Sequence, residues 1–383
     1  MKRRLALLIL IFSQVSWLSA GVSLGLAKAA AKRTMDLIDS VAPPPCGAPP
    51  YFNTLPLSYG AMNSIIPLGN LNPTGHVFPT DHVYMNLVNN QARSDVYAPG
   101  DVIITQVTKV DGPATPYTEY KMEFSPCRNV TGYFDHMSSL SPAILSQVSS
   151  FDYCTTYVTG GFTYTTCNKD TSIKVHAGDV LGTSGAPGQT STGLDLGMYD
   201  TRYPLPFINP PRHPISTLYA LCPFDNFTPE VRSALVALLG YGGTLRTIPP
   251  VCGQVNQDLA GTAQGDWFLL GNASTQEDSN LALVHDNIDP SKGVFSIGNA
   301  VGTLSSGGYT FTPISTGTIN RDFAQVSADG SVYCYNSFSR APNGFNGRIL
   351  IQMAGTASLQ IEGQSGSCGA GPWTLSSPTA FER

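Results

Sequence analysis

The segment from Cys154 to Cys167, "CTTYVTGGFTYTTC", can fold in few ways. Its two cysteines stand equally far from Gly160-Gly161, a dipeptide that accepts the positive φ angles of a two-residue hairpin turn. The residues between are Thr, Tyr, Val and Phe, which favour strands. Folding about the glycines pairs Thr159 with Phe162, Val158 with Thr163 and Tyr157 with Tyr164, and lands Cys154 opposite Cys167. Counted outward from the turn, that pair is of the non-hydrogen-bonded class, whose Cα atoms approach to about 4.5 Å. A disulfide can bridge that distance. The segment predicts a disulfide-closed β-hairpin.

A disulfide needs an oxidising compartment, and the first 27 residues point to one. "MKRR" is a positive n-region, "LALLILIF" an apolar h-region, and small residues follow in "WLSAGVSLGLA", with cleavage expected after Ala20 or Ala27. This is a secretory signal pattern, predicting a secreted or periplasmic protein with no stable membrane insertion after cleavage. The alternative is an uncleaved anchor, since the weakly polar stretch is long enough to span a bilayer. Eight cysteines without any C-x-x-C pair favour disulfides over metal thiolates. Cys222 with Cys252 and Cys334 with Cys368 are pairings suggested by proximity alone.

Only 12% of residues are charged, and Gly (38) and Pro (29) are abundant. That composition suits a loop-rich β-protein. Formal charge is −5, and the expected leader takes Lys2, Arg3 and Arg4 with it, so the remainder is more acidic still. Nucleic-acid binding, which calls for a basic stripe, is not expected.

Beyond the signal (1–27), a Pro-rich linker is read over 28–50; it opens with "KAAAKRTMDLIDS", a short candidate helix. A β-domain spans 51–225, a connecting helix lies in 226–249, and a small β-sandwich or barrel fills 250–383. The fold class is mostly β with two short helices. One helix is "SPAILSQVSSF", with Ser141 as N-cap and Pro142 at the first position. The other is "TPEVRSALVALLGYGG", capped by Thr228 and begun by Pro229, with Glu230 suited to its N-terminal end.

Three stretches carry possible chemistry: "GHVFPTDHVYMNLVNN", "YFDHMSSLS" and "VHAGDVLGTSGAPGQTSTGLDLGMYD". Their succession over roughly 60–200 resembles the lysostaphin-type zinc peptidases that cut peptidoglycan cross-links on a duplicated hybrid motif fold. That resemblance implies zinc ligands at His82, at the position of Asn86 and at that of Gly197. It implies catalytic histidines at the positions of His136 and Asp195. One of three zinc ligands remains. A catalytic zinc needs three protein ligands and an open position, and it activates water by lowering its pKa to about 7. The expected site is broken as written. A remodelled cluster of His76, His82, His136 and Asp195, beside Asp81, would still have ligand chemistry suited to zinc. The expected cofactor is therefore none or zinc, with His82, His76 and Asp195 as candidate metal ligands and His136 and Asp195 as candidate catalytic groups.

His176 reads as a solvated turn residue and His213 as structural. His285 with Asp286 and Asp289 could hold calcium only with more oxygen ligands than the loop supplies. Ser184 shows no partner base. Three functional classes stay open: a catalytically degenerate peptidase-like module that binds peptidoglycan or an envelope protein; an active zinc metalloendopeptidase with altered ligands; and a structural or adhesive envelope protein.

Overall fold

Val, Ile, Thr and aromatic residues in short runs, broken by Gly and Pro, form strands throughout the described part of the chain. The computed structural model describes residues 42–383 except 113–117, 149, 160–161 and 275. The signal segment, the "KAAAKRTMDLIDS" helix and the Gly160-Gly161 turn lie outside the described residues.

The first unit is a ten-stranded sheet. Its strands are β1 (Met62–Ile66), β2 (His82–Leu87), β3 (Ser94–Tyr97), β4 (Val102–Asp111), β5 (Glu119–Cys127), β6 (Val130–Leu140), β7 (Tyr153–Thr159), β8 (Phe162–Val175), β9 (Val180–Ser184) and β10 (Gly193–Asp200). They run in the order β1-β2-β10-β6-β5-β4-β8-β7, with β9 joining β3 to β6, and every pairing is antiparallel. β10 is nearly buried along its length, so it sits in the middle of the sheet although it comes last in the chain. Val83, Met85, Phe124, Phe134, Leu194 and Leu196 fill the core against it.

The hairpin β7–β8 has the register expected from its sequence, with Thr159 opposite Phe162 and Cys154 opposite Cys167. The Cα atoms of the two cysteines are 4.0 Å apart and their sulfurs are bonded. Cys46–Cys127, Cys222–Cys252 and Cys334–Cys368 are also bonded, which uses all eight cysteines. Four disulfides fit an oxidising, extracytoplasmic environment. No helix among the described residues is long and apolar enough to cross a membrane.

Both helices begin where expected and end early: α1 is Pro142–Leu145 and α2 is Pro229–Val236. Neither Ser141 nor Thr228 makes a side-chain capping bond; each start rests instead on the fixed φ of proline. α2 does not stand between two units. Leu235 and Leu239 belong to the first core, which continues to Cys252 and Val255. The Ile65 amide donates to the Leu238 carbonyl at 2.7 Å.

After the two-residue strands β11 (Gly240–Tyr241) and β12 (Thr244–Leu245), the second unit is an eight-stranded sheet. Its members are β13 (Gly265–Leu269), β14 (Leu281–His285), β15 (Gly293–Ile297), β16 (Gly307–Phe311), β17 (Tyr333–Tyr335), β18 (Gly347–Gly355), β19 (Ser358–Ser365) and β20 (Thr379–Glu382). The order is β16-β15-β14-β13-β20-β19-β18-β17, a nearly closed barrel. Trp267, Phe295, Phe311, Phe323 and Tyr335 pack inside it.

The two units touch through the loop that leads into β2. Val77 and Phe78 pack on Phe268, Ala282 and Val284. The Phe78 amide donates to Glu277 Oε2 at 2.9 Å, and Asn287 Nδ2 donates to the Pro67 carbonyl at 2.9 Å.

Unreduced peptide mapping is expected to recover residues 154 and 167 in one linked fragment. Replacing both by Ser should lower stability by at most about 3 kcal/mol, the chain-entropy value for a loop of this size, read from the midpoint of urea unfolding. Linkage of either cysteine elsewhere would contradict the register.

Candidate functional site

Four adjacent strands bring the polar residues together. In the ladder β2-β10-β6, Tyr84, Asp195 and Asp135 lie side by side, and so do His82, Gly197 and Tyr133. Directly opposed residues share a face of a sheet, and positions two apart along a strand share it too. All six positions therefore occupy one face. β5 adds Glu119, next to the bulge where the β5–β6 register shifts. His136 sits at that bulge with φ +62°, a left-handed conformation uncommon outside glycine. A bulge re-aims a side chain, and this one turns the His136 ring toward Glu119 and Asp195.

Both imidazoles face the same carboxylate. His82 Nε2 is 3.4 Å and His136 Nε2 3.6 Å from Asp195 Oδ2. Their other nitrogens are held by further carboxylates: His82 Nδ1 is 3.1 Å from Asp81 Oδ1, and His136 Nδ1 is 3.0 Å from Glu119 Oε2. Asp81 also accepts from Thr217 Oγ1 at 2.9 Å and from the hydroxyls of Tyr199 at 3.3 Å and Tyr133 at 3.4 Å. His76 closes one side, its ring centroid 5.6 Å from that of His82.

Charge follows from these contacts. Burial opposes an imidazolium at His136, but Asp195, the bond to Glu119 and the nearby Asp135 outweigh it and carry the ring up to about 10. Burial likewise opposes charge on His82, and Asp195 and Asp81 raise it. Burial pushes the Asp195 carboxyl up, while His136 and His82 pull it back. Asp81 is down at about 2, because the His82 and Thr217 bonds overcome its burial. His76 has no such partner, and burial together with His82 lowers it to about 4.

The positions at which the resemblance puts two zinc ligands are filled by other interactions. Asn86 donates from Nδ2 to Ser64 Oγ at 3.0 Å and accepts from Thr192 Oγ1, so its amide is held away from His82. A Cβ built on Gly197 would lie too close to Cε1 of the Tyr133 ring, a steric clash. That ring stacks on Tyr199, with centroids 5.9 Å apart. Among the described residues, no group of three or more His, Cys, Asp or Glu side chains is placed to hold a metal ion. The residues present do not fit the zinc centre of the resembled family.

The remaining candidates disperse. His176 sits 3.5 Å from Asp101 at the surface. His213 is buried against Phe207 and Phe268. His285 Nδ1 bonds the Pro290 carbonyl at 2.7 Å, while Asp286 and Asp289 accept backbone amides of their own turn. Ser184 is buried, with its hydroxyl on the His136 carbonyl at 3.3 Å. Sequence reasoning missed Glu119, Tyr133, Tyr199 and Thr217. Tyr133 and Tyr199 lie within the quoted stretches "YFDHMSSLS" and "VHAGDVLGTSGAPGQTSTGLDLGMYD", but all four reach the site only through pairing or packing with a distant segment, and no motif marks Glu119 or Thr217.

A folded pKa above 6.5 means that the His136 charge stabilises the fold fully below about pH 6.5, and that this contribution fades as pH rises through about 10. His76 has the opposite sign: its neutral form is the folded one, so stability falls as pH drops from about 6.5 toward 4. An NMR titration of ring protons should find His136 charged at pH 8 and His76 neutral at pH 6. Asp195→Asn should bring the His136 midpoint down; an unmoved midpoint would contradict the coupling. Gly197→Ala should cost about 1–3 kcal/mol in urea unfolding, the range for overpacking, because the stacked Tyr133 ring cannot yield.

No protein-family model and no curated protein matches this chain.

Proposed function

We propose that this is an exported, catalytically degenerate peptidase-like protein that binds a peptide or glycan strand of the cell envelope without cutting it. The observation that carries the reading is the filling of Gly197 by Tyr133. An altered metal site would need that space or a new donor in it; a packed tyrosine ring supplies neither. The tether of Asn86 to Ser64 and Thr192 points the same way. A hydrolase on this scaffold needs a metal to make hydroxide near neutral pH. In the His82–Asp195–His136 cluster each imidazole instead faces two carboxylates, Asp81 and Asp195 for His82 and Glu119 and Asp195 for His136. Such a cluster fixes the shape and charge of a cleft wall, which is what a recognition surface requires.

On this reading the envelope ligand contacts the cleft beside His136, the most accessible member of the cluster. The rival metallohydrolase and the adhesive protein are separate outcomes of one set of experiments. Purified protein, incubated with isolated peptidoglycan and zinc, is expected to sediment with the polymer and release no cross-bridge peptides. Release that His136→Ala abolishes would establish an active peptidase with altered ligands. Sedimentation reproduced by residues 250–383 alone would assign the function to the C-terminal barrel. Elemental analysis of protein purified without chelator is expected to find no stoichiometric zinc; zinc lost on His82→Ala would overturn the reading.

A further inference from the structure

Behind His82 the two units enclose a cavity of about 280 Å³, near the lower end of small-ligand pockets. The first unit contributes His76, Asp81 and the stacked pair Tyr133 and Tyr199. The second contributes Asp266 and Glu277, and His213 comes from the loop that follows β10. Part-exposed Lys121, Asp135 and Ser216 form its rim.

Three lining groups have a buried polar atom with no hydrogen-bond partner: Asp266, His213 and His82, whose Nε2 faces Asp195 at 3.4 Å. Asp266 is 4% exposed and its Oδ1 meets no donor; His213 is 7% exposed and its Nε2 is equally unpartnered. The Asp266 amide donates to Asp258 Oδ1 at 2.8 Å, which brings a second acid close. Glu277 accepts the Phe78 amide on Oε2 at 2.9 Å. The nearby cations have other partners: Arg383, whose charge reaches Asp266, lies 3.9 Å over the Trp267 ring and donates to the Gln264 carbonyl. Lys121 Nζ lies 4.3 Å over the Tyr133 ring and 3.5 Å from Glu123. Arg212 lies 4.4 Å over Phe268 and donates to the Asn272 carbonyl.

A buried carboxylate oxygen without a partner is costly; Asp266 Oδ1 is one, and with Glu277 and the aromatic rings beside it the cavity describes a site for a cation. We propose that this cavity binds a primary ammonium group, with Asp266 and Glu277 as its counter-ions and His213 Nε2 as a third acceptor. An ammonium has three donors, and these three groups supply acceptors for them. The volume and the aromatic wall fit the short chain that carries the amine: the amino end of a peptide, or the side-chain amine of one of its residues. The proposal deepens the binding-module reading by naming the group recognised, yet it stands or falls on a separate measurement.

Burial raises Glu277 to about 7, with Asp81 adding to it, and raises Asp266 well above the carboxylate range, with Asp258 and Glu277 adding to it against Arg383. An ammonium beside them would pull both back down.

Titration calorimetry on the full chain decides it, using glycylglycine, Nα-acetyl-lysine methylamide and the uncharged Nα-acetyl-norleucine methylamide. At least one amine is expected to bind while the norleucine compound does not. Binding of glycylglycine assigns the site to a peptide amino terminus, and binding of the lysine compound to a side-chain amine. Asp266→Asn and Glu277→Gln should each weaken binding about tenfold or more, as expected for lost hydrogen bonds to a charged group. Melting temperatures of both variants show that the fold is kept; should Asp266→Asn fail to fold, Glu277→Gln decides alone. Equal binding of the norleucine compound, no heat with either amine, or unchanged affinity in the folded variants would overturn the proposal. Sedimentation with peptidoglycan in the absence of amine binding would leave the binding-module reading intact and remove this one.

Discussion

The carboxylate of Asp195 between two imidazoles is the contact on which the site depends. It exists because β10, last of the first sheet in the chain, inserts between β2 and β6. That insertion buries Asp195, and a buried carboxylate must be compensated. His82 from one neighbour and His136 from beside the other do so, and they in turn are braced by Asp81 and Glu119. The result links four strands and the loop before β2 through charge-assisted contacts. Removing one member would leave the others buried and unpaired, a larger cost than the pair itself provides.

The same ladder explains why reaction chemistry of the resembled kind is not supported. In the row His82–Gly197–Tyr133 the central residue has no side chain, and the outer tyrosine leans across it. The vacancy left by a small residue has been used for packing, since interiors leave few voids. Tyr133 then reaches Asp81 and Tyr199, which ties the replacement into the hydrogen bonds that orient His82.

The loop before β2 couples this face to the second unit. Its Val77 and Phe78 are buried against the barrel, and the Phe78 amide is held by Glu277. A ligand that neutralised Glu277 would act on the segment that carries Asp81 and His82. The two units therefore share a polar region, although each has its own core.

Local sequence alone determined the β class, the hairpin with its Cys154–Cys167 bridge and the start of both helices. These follow from strand propensity, turn geometry and proline, which act over a few residues. His82, His136 and Asp195 were singled out by the resemblance instead, with His76 as a neighbour of His82 in the chain. Their meeting, and what stands around them, was decided by tertiary structure. Glu119 and Tyr133 reach the site through cross-strand pairing, Thr217 through a loop 136 residues from Asp81, and Glu277 through contact between units. The helix α2 looked like a connector because its apolar stripe names no partner; only packing showed that Leu235 and Leu239 complete the first core. Short-range geometry is written in consecutive residues, whereas the compensation of a buried charge depends on which distant groups the fold brings within a few ångströms.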